Sequence, residues 1–304
     1  MTAPMHTTAP FVSVIIPVYD DLERLANCLE NLAAQSYPKD RYEVVVVDNG
    51  SAQSPKDITD KFDFCVLTDE LTPGSYAARN TGLEIAKGEA LAFTDADCKP
   101  QPGWIEMGVK TLQQAGTNSL VGGKIKVFFA DPSRPTLAEQ FEDTFAFHQE
   151  RYIAEFNYAA TANLFAWRGA FEDVGAFNAA LKSGGDREWC VRAHEKGYQL
   201  VYGGDAVVCH PARRTLGTLL AKHARVASGE FYTRGWDHAS LGEVIRDVRS
   251  RRKQSRQQGA SRGWQGRPSG GTVQRLKIVL LSKAITVVKI TEKILLWFGK
   301  RPRR

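Results

Sequence analysis

Two carboxylates, Asp95 and Asp97, stand two residues apart directly after the apolar run Ala90 to Thr94, where the chain leaves a strand. Hard divalent cations such as Mg2+ and Mn2+ take carboxylate oxygens together with substrate phosphates, so this pair can hold a metal against a diphosphate. The competing use of such a pair is a strand-end turn, which Asp makes by bonding its own backbone. Acids recur in comparable places. Pro17-Val18-Tyr19-Asp20 follows one β-branched run and Asp48-Asn49-Gly50-Ser51 another. Ligands gather at the carboxyl ends of parallel strands, so three such ends put carboxylates on one rim.

The elements that position these residues alternate. Phe11 to Pro17 and Tyr42 to Val47 are apolar runs of the kind buried in parallel strands, followed by shorter ones near Phe64 to Leu67 and at Ala90 to Thr94. Between them the spacing predicts helices over Asp20 to Ala34, with Asp20 or Asp21 as N-cap, over Tyr76 to Ala86, and from about Gly103 to Gln114. This order implies an α/β layer. Beyond Gly116 it becomes mixed. Strands are expected at Ser119 to Phe128, Thr161 to Trp167, Gln199 to Tyr202 and Ala206 to Cys209, and helices at Thr136 to Arg151 and Asp186 to Lys196.

The chain has 304 residues, 43% hydrophobic and 24% charged, which excludes a disordered or multi-span membrane protein. Its net charge of +6 is unevenly spread: Arg246 to Arg304 holds 17 basic and 2 acidic residues, so an acidic body carries a basic tail. The body is therefore not a nucleic-acid binder, and any anionic partner of the bulk surface, lipid or nucleic acid, belongs to the tail. Five cysteines, Cys28, Cys65, Cys98, Cys190 and Cys209, form no CxxC pair, which indicates neither a disulfide scaffold nor a zinc knuckle. The opening MTAPMHTTAP has neither a basic n-region nor an apolar h-region, so no secretory signal is expected and the body is placed in the cytoplasm.

Four ordered segments now stand together: VSVIIPVYD (Val12 to Asp20), VVVVDNGS (Val44 to Ser51), PGSYAARNTGLEIAKGEALAFTDADC (Pro73 to Cys98) and SGGDREWCVRAHEKGYQLVYGGDAVVCHP (Ser183 to Pro211). This series resembles the family 2 glycosyltransferases, over roughly Phe11 to Arg234. The resemblance implies a GT-A fold, a Rossmann-like mixed sheet flanked by helices, here with a basic amphipathic helix added at the C-terminus. It implies transfer of a sugar, with inversion, from a nucleotide-diphosphate sugar to an acceptor hydroxyl, UDP-sugars being the first donor class. Pro17, Val18, Tyr19 and Asp48 match the positions that hold the nucleoside, and Arg79 and Asn80 match a segment near the donor. Asp95 and Asp97 match the metal pair, Asp97 being the more direct ligand of Mn2+ or Mg2+. His210 matches a histidine that in some relatives completes the metal shell. The catalytic base of the family lies in a Gly-Glu-Asp segment. Here Gly184-Gly185-Asp186-Arg187-Glu188 stands instead, so Asp186 aligns with the base, Gly185 removes a carboxylate, and Glu188 is a second candidate. A plain helix N-cap is the structural alternative for Asp186. Arg213 and Arg214 are candidates to neutralise the leaving group, and Trp104 and Trp189 to stack on sugar, although aromatics at such spacing commonly belong to a core. The QxxRW segment of processive members is absent between Asp186 and Trp236, which points to one sugar per encounter.

The expected organisation is a catalytic domain over 10–235, a basic flexible linker over 236–271 and a basic amphipathic helix over 272–304. Lys277, Lys283, Lys289, Glu292 and Lys293 interrupt the apolar stretch Leu276 to Gly299, so it is too charged to span a bilayer. On a helical projection Ser282, Thr286, Lys289, Lys293 and Lys300 share one face and Leu281, Ala284, Ile285, Val288 and Leu295 the other, as in a helix lying at an anionic lipid surface. The alternative for this helix is packing on protein. Expected partners are thus a nucleotide sugar, an acceptor glycan or lipid-linked sugar, and the cytoplasmic membrane face. Two further readings compete. One is a catalytically silent membrane-tethered scaffold, hinted at by Gly185. The other is a sugar nucleotidyltransferase, disfavoured because Pro17-Val18-Tyr19-Asp20 stands where a Gly-rich phosphate loop is needed.

Overall fold

The computed structural model describes residues 9–240, 242–247, 250 and 271–299. The opening segment and its expected lack of a leader, residues 251–270 of the linker expected over 236–271, and the basic end Lys300 to Arg304 lie outside the described residues. In chain order the elements are β1 (Val12–Val18), α1 (Leu22–Ala33), β2 (Tyr42–Asp48), α2 (Lys56–Thr59), β3 (Cys65–Asp69), α3 (Ser75–Ile85), β4 (Ala90–Phe93), β5 (Lys99–Pro100), α4 (Trp104–Ala115) and β6 (Ser119–Phe128). There follow α5 (Leu137–Phe145), α6 (Gln149–Phe156), β7 (Leu164–Trp167), α7 (Arg168–Val174), α8 (Gly185–Glu195), β8 (Gln199–Pro211), α9 (Leu216–Thr233) and α10 (Thr272–Trp297). The chain divides into two compact units, one of residues 1–128, 147–181 and 185–211, the other of 129–146, 182–184 and 212–304.

The first unit is built on an eight-stranded sheet in the order β3-β2-β1-β4-β7-β6-β8-β5. β3, β2, β1 and β4 run parallel, as their continuous β-branched runs predict, and β7 is antiparallel to both of its neighbours. One face of the sheet, Val12, Val14, Ile16, Val44, Val46 and Phe165, packs on Leu25, Leu29 and Leu32 of α1 and on Trp104, Ile105 and Leu112 of α4. The other face places Phe93 against Phe171 and Phe177, and Trp189 stacks on Phe171 at 4.2 Å. Trp104 and Trp189 are thus core residues, each with its indole N–H bonded inside the fold, to Asn163 and to the Gly175 carbonyl.

Three local expectations change. The predicted helix over Thr136 to Arg151 is broken into α5 and α6, because Phe147 adopts φ +57° between them. A bulky aromatic residue is costly in that left-handed region, and periodicity carries no sign of it. The two short strands over Gln199 to Cys209 are one strand, β8, whose register against β6 shifts between Gly123 and Lys124. Buried Asn163 fills the irregularity: its Nδ2 donates to the carbonyls of Lys124 and Ala206, both at 2.9 Å, and its Oδ1 accepts from Trp104. At the start of α1, Asp21 occupies the N-cap position, yet its carboxylate accepts from Arg24 rather than from the helix amides. Asp20 turns to φ +48° and accepts the Ala52 amide at 2.7 Å.

The second unit packs α10 on α9 and α5. Ile278, Leu281 and Ile285 meet Ala138, Phe141 and Leu219, and Leu296 meets Phe231 and Trp236. The sequence projection put Leu281 and Ile285 on the lipid side and Lys289 and Lys293 on the opposite, polar side, but the structure turns all four toward the rest of this unit. Lys293 Nζ pairs with Glu230 at 2.6 Å, and burial pushes the Lys289 ammonium below its ordinary pKa. What α10 leaves exposed is a second apolar stripe, Val273, Leu276, Leu280, Val287, Ile290, Ile294 and Phe298. These recur at steps of three, four or seven residues, so they line one side of the helix. Among the described residues no helix is long and apolar enough to cross a membrane. Arg213 belongs to this unit, and its guanidinium pairs with Glu142 at 3.0 Å, while Lys222 reaches the same carboxylate at 2.5 Å.

Candidate active site

The end of β4 builds the first half of the site. Thr94 anchors the strand end by donating to the Ala162 carbonyl at 3.1 Å, and the turn that follows is closed by the Cys98 amide on the Asp95 carbonyl at 3.0 Å. The next two residues form β5, which pairs Lys99 with Cys209 and Pro100 with Val208 on β8. That short pairing carries His210 to the carboxylates. Its Nε2 lies 3.7 Å from Asp97 Oδ1, and the ligand atoms of Asp95, Asp97, Cys98 and His210 lie within 4.8 Å of one another. His210 Nδ1 contacts the Pro211 carbonyl at 2.8 Å. A carbonyl oxygen only accepts, so Nδ1 is the donor in this contact and Nε2 is the ring nitrogen turned toward Asp97. The ring of Phe147 lies 4.3 Å from that of His210, which gives its unusual backbone a position beside the site. Burial pushes the Asp97 carboxyl up, with His210 opposing and Asp95 adding to the shift.

Helix α3 supplies the second half. It begins after Gly74, whose φ of 135° is a conformation open to glycine, and Asn49 sets this loop by accepting the Gly74 amide and donating to the carbonyls of Glu70 and Thr72. One turn into the helix the buried Arg79 donates to Asp95 Oδ1 in an ion pair. Its guanidinium also lies 5.6 Å from the ring of Tyr76, and Tyr76 OH donates to Asp186 Oδ1 at 3.3 Å. Burial raises the Tyr76 phenol, so it remains a donor at neutral pH. Burial also pushes the Asp186 carboxyl above its ordinary value, against the Arg187 amide, Arg79 and Tyr76, which all favour the charged form. Asp186 therefore sits in the second position of α8 as a partly exposed carboxylate of raised basicity.

The packing also explains Gly185. A Cβ there would lie 2.7 to 2.9 Å from three atoms of the Tyr76 ring, so no side chain fits while Tyr76 holds its place. The departure from the Gly-Glu-Asp pattern thus has a steric reason in this chain.

The structure gathers some of the predicted residues and separates others. Asp95, Asp97 and His210 come together, and Asp186 is tied to Asp95 through Tyr76 and Arg79. Glu188 lies about 200° round the helix from Asp186, where its carboxylate holds Arg192 at 2.6 Å and is not brought to this group. Asn80 uses both ends of its amide on the backbone of Phe177, at 2.9 and 3.0 Å, so it ties α3 to the chain before α8. At the other strand ends Val18 is buried, Pro17 half-buried and Tyr19 exposed at the rim. Asp48 accepts the Ser51 amide at 3.0 Å, the turn geometry that Asp48-Asn49-Gly50-Ser51 predicts. Cys98, Tyr76, Asn49 and Phe147 escaped the sequence reading. Only Tyr76 carried a signal, its place one helical turn from Arg79 within PGSYAARN.

Residues 13–175, more than half of the chain, match the family described as Glycosyl transferase family 2. The chain belongs to that family. Glycosyltransferase AglE of Haloferax volcanii is 43% identical over 246 residues, which cover 79% of this chain and 80% of AglE. The transferase also superposes on the mannosyltransferase PcManGT of Pyrobaculum calidifontis, solved with GDP-Man and Mn2+, with a TM-score of 0.60 at 18% identity, covering 98% of this chain and 90% of that one. TarS of S. aureus, solved with UDP-GlcNAc, gives 0.54 at 20% identity, covering 73% of this chain and 66% of that one. At these identities the likenesses establish the GT-A fold.

Proposed function

We propose that the protein is an inverting, metal-dependent glycosyltransferase that moves one sugar from a nucleotide-diphosphate sugar, a UDP-sugar in the first instance, to an acceptor hydroxyl. The observation that carries this reading is the connected set Asp186, Tyr76, Arg79 and Asp95, placed beside a cluster of oxygen and nitrogen ligands at the strand ends. Asp186 acts as the general base. It takes the proton of the attacking hydroxyl while that oxygen bonds to the anomeric carbon from the face opposite the leaving diphosphate. Its raised pKa makes it a better proton acceptor than an ordinary exposed Asp. Glu188, held by Arg192, is left as a support of the helix that carries Asp186. Asp48, with Pro17, Val18 and Tyr19, forms the nucleoside end of the site, and Arg79 and Asn80 frame the donor by fixing Asp95 and the chain before α8.

Two carboxylates and an imidazole with its Nε2 turned inward are a donor set that fits Mn2+ or Mg2+. Asp97, His210 and Asp95 would hold the ion, which when bound neutralises charge on the departing diphosphate. The test is thermal stabilisation by a panel of UDP-, GDP- and TDP-sugars with and without Mn2+, alongside Asp97→Ala. One donor should raise the melting temperature only with metal, by an amount that grows with ligand concentration, and the variant should lose the effect. No shift with any donor would overturn the reading in favour of a silent scaffold.

We place the transferase at the cytoplasmic face of a membrane, acting on a lipid-linked acceptor in polysaccharide or glycolipid synthesis. The support is the exposed apolar stripe on α10 together with the basic residues of the tail, which attract anionic lipid. Leu280→Glu with Ile290→Glu should abolish co-flotation with phosphatidylglycerol vesicles at low salt. Retained flotation would refute docking through this stripe.

A further inference from the structure

We propose that Asp97, Cys98 and His210 form a mixed oxygen, sulfur and nitrogen site that takes a borderline-soft divalent cation, Zn2+ or Co2+, with the Cys98 sulfur as a ligand. The inference rests on the reading of Asp97 and His210 as metal ligands and adds a ligand that changes which ions the site prefers. Three observations carry it. The ligand atoms of these residues and of Asp95 already lie within 4.8 Å of one another, and Cys98 Sγ stands 3.9 Å from Asp97 Oδ1. Zinc bonds to nitrogen, oxygen and sulfur of about 2.0 to 2.3 Å require ligand atoms about 3.3 to 3.8 Å apart, so a contraction of about 1 Å closes the set. His210 is oriented as metal-bound histidines are, with Nδ1–H on a backbone carbonyl and Nε2 facing the cluster. Arg79 holds only Oδ1 of Asp95, so the other oxygen serves Mn2+ or Mg2+, while a softer ion on Asp97, Cys98 and His210 has three protein ligands and an open position, the pattern of zinc sites that admit a further ligand.

Thiolate selects Zn2+ and Co2+ over Mg2+ and Mn2+, which prefer oxygen. When the softer ion binds, the S–H bond of Cys98 breaks, its proton leaves to solvent and the sulfur lone pair bonds the metal. The consequence is that Zn2+ occupies the site more tightly than Mn2+ and competes with it. Among the described residues the other thiols lie outside this cluster. Cys28 Sγ faces the Asp95 carbonyl and Cys190 Sγ the Ala159 carbonyl, so they serve as internal controls.

The experiment is a Co2+ titration of the full chain followed by absorption. The wild type and Cys28→Ser should develop a near-ultraviolet sulfur-to-cobalt charge-transfer band with the strong visible bands of four-coordinate Co2+. Cys98→Ser should lose the charge-transfer band, and competition with a chromogenic chelator should show Zn2+ affinity falling by more than the about 10- to 100-fold that loss of a supporting group costs. Cys98→Ala, with circular dichroism on each variant, guards against misfolding, and Cd2+ with its own thiolate band repeats the measurement in wild type. A wild-type spectrum that is weak, six-coordinate and lost in Asp97→Ala overturns the thiol ligand while leaving the metal reading intact. A charge-transfer band that survives Cys98→Ser overturns the assignment to Cys98. Absence of any Co2+ or Mn2+ binding, with or without nucleotide, overturns the metal reading itself.

Discussion

Gly185→Ala is the smallest change that tests how the base is held. The added carbon would meet Cε2, Cδ2 and Cζ of Tyr76 at 2.7, 2.8 and 2.9 Å, where carbon atoms prefer about 3.5 to 4.0 Å. The ring has little freedom to retreat. It lies 5.8 Å from the ring of Phe177, faces the Arg79 guanidinium, and its hydroxyl is bonded to Asp186. Overpacking of this kind costs about 1 to 3 kcal/mol, partly offset by the up to about 1 kcal/mol that Ala gains over Gly in a helix. A net loss of about 1 to 2 kcal/mol lowers the melting temperature by roughly 2 to 8 °C in a unit of this size. Turnover should fall further than stability implies, since a ring displaced by about 1 Å no longer reaches Asp186 within hydrogen-bond distance. Thermal melts and single-turnover transfer should be measured for Gly185→Ala, Tyr76→Leu and the double variant. Removing the ring makes room for the methyl group, so the cost of Gly185→Ala should vanish in the Tyr76→Leu background, a coupling of about 1 to 2 kcal/mol. A Gly185→Ala protein that melts within a degree of wild type, or the same cost in both backgrounds, refutes the steric account.

Asp186→Asn should reduce turnover by about 10²- to 10⁴-fold while donor binding is retained, with rates read by product chromatography and binding by calorimetry. In the wild type the base must be ionised to accept a proton, so with its pKa raised by burial the rate should be lost as pH falls through a value above the ordinary carboxylate range, which a pH–rate profile locates. Arg79→Met leaves the Asp95 carboxylate without its partner and should cost about 3 kcal/mol, the low end for a broken buried pair because Asp95 is partly exposed, as measured by denaturant unfolding. Asn163→Leu strips hydrogen bonds from the Lys124 and Ala206 carbonyls and the Trp104 indole, each worth about 1 to 3 kcal/mol when left unmade, so a melting temperature unchanged by this variant would contradict the staple at the β8 irregularity. Glu142, nearly fully buried, resists the upward push of burial through Lys222 and Arg213, and its carboxyl stays below the ordinary 4.5. The unfolded chain then binds the extra proton first, so this stability is present above that value and is lost as pH falls below it. Glu142→Gln should flatten that limb of an acid-unfolding curve.

The sequence by itself determined the alternating strands and helices of the first unit, the metal-competent pair at the end of β4 and the turn at Asp48, to within a residue or two. Those signals are local: β-branched runs, 3.6-residue spacing and carboxylates two residues apart are written in adjacent positions. It left Glu188 open as a second candidate beside Asp186, although 100° per residue sets the two on opposite sides of a helix. What only the tertiary structure decided depends on distant segments meeting. His210 reaches Asp97 because two residues after the carboxylate pair join β8, and Tyr76 reaches Asp186 across 110 positions. Phe147 breaks a helix that its own neighbours favour. Both faces of α10 are apolar enough to be buried, so composition left the choice open. It was the match of Ile278, Leu281 and Ile285 to α5 and α9, with Glu230 there to receive Lys293, that turned one face inward and left the other exposed.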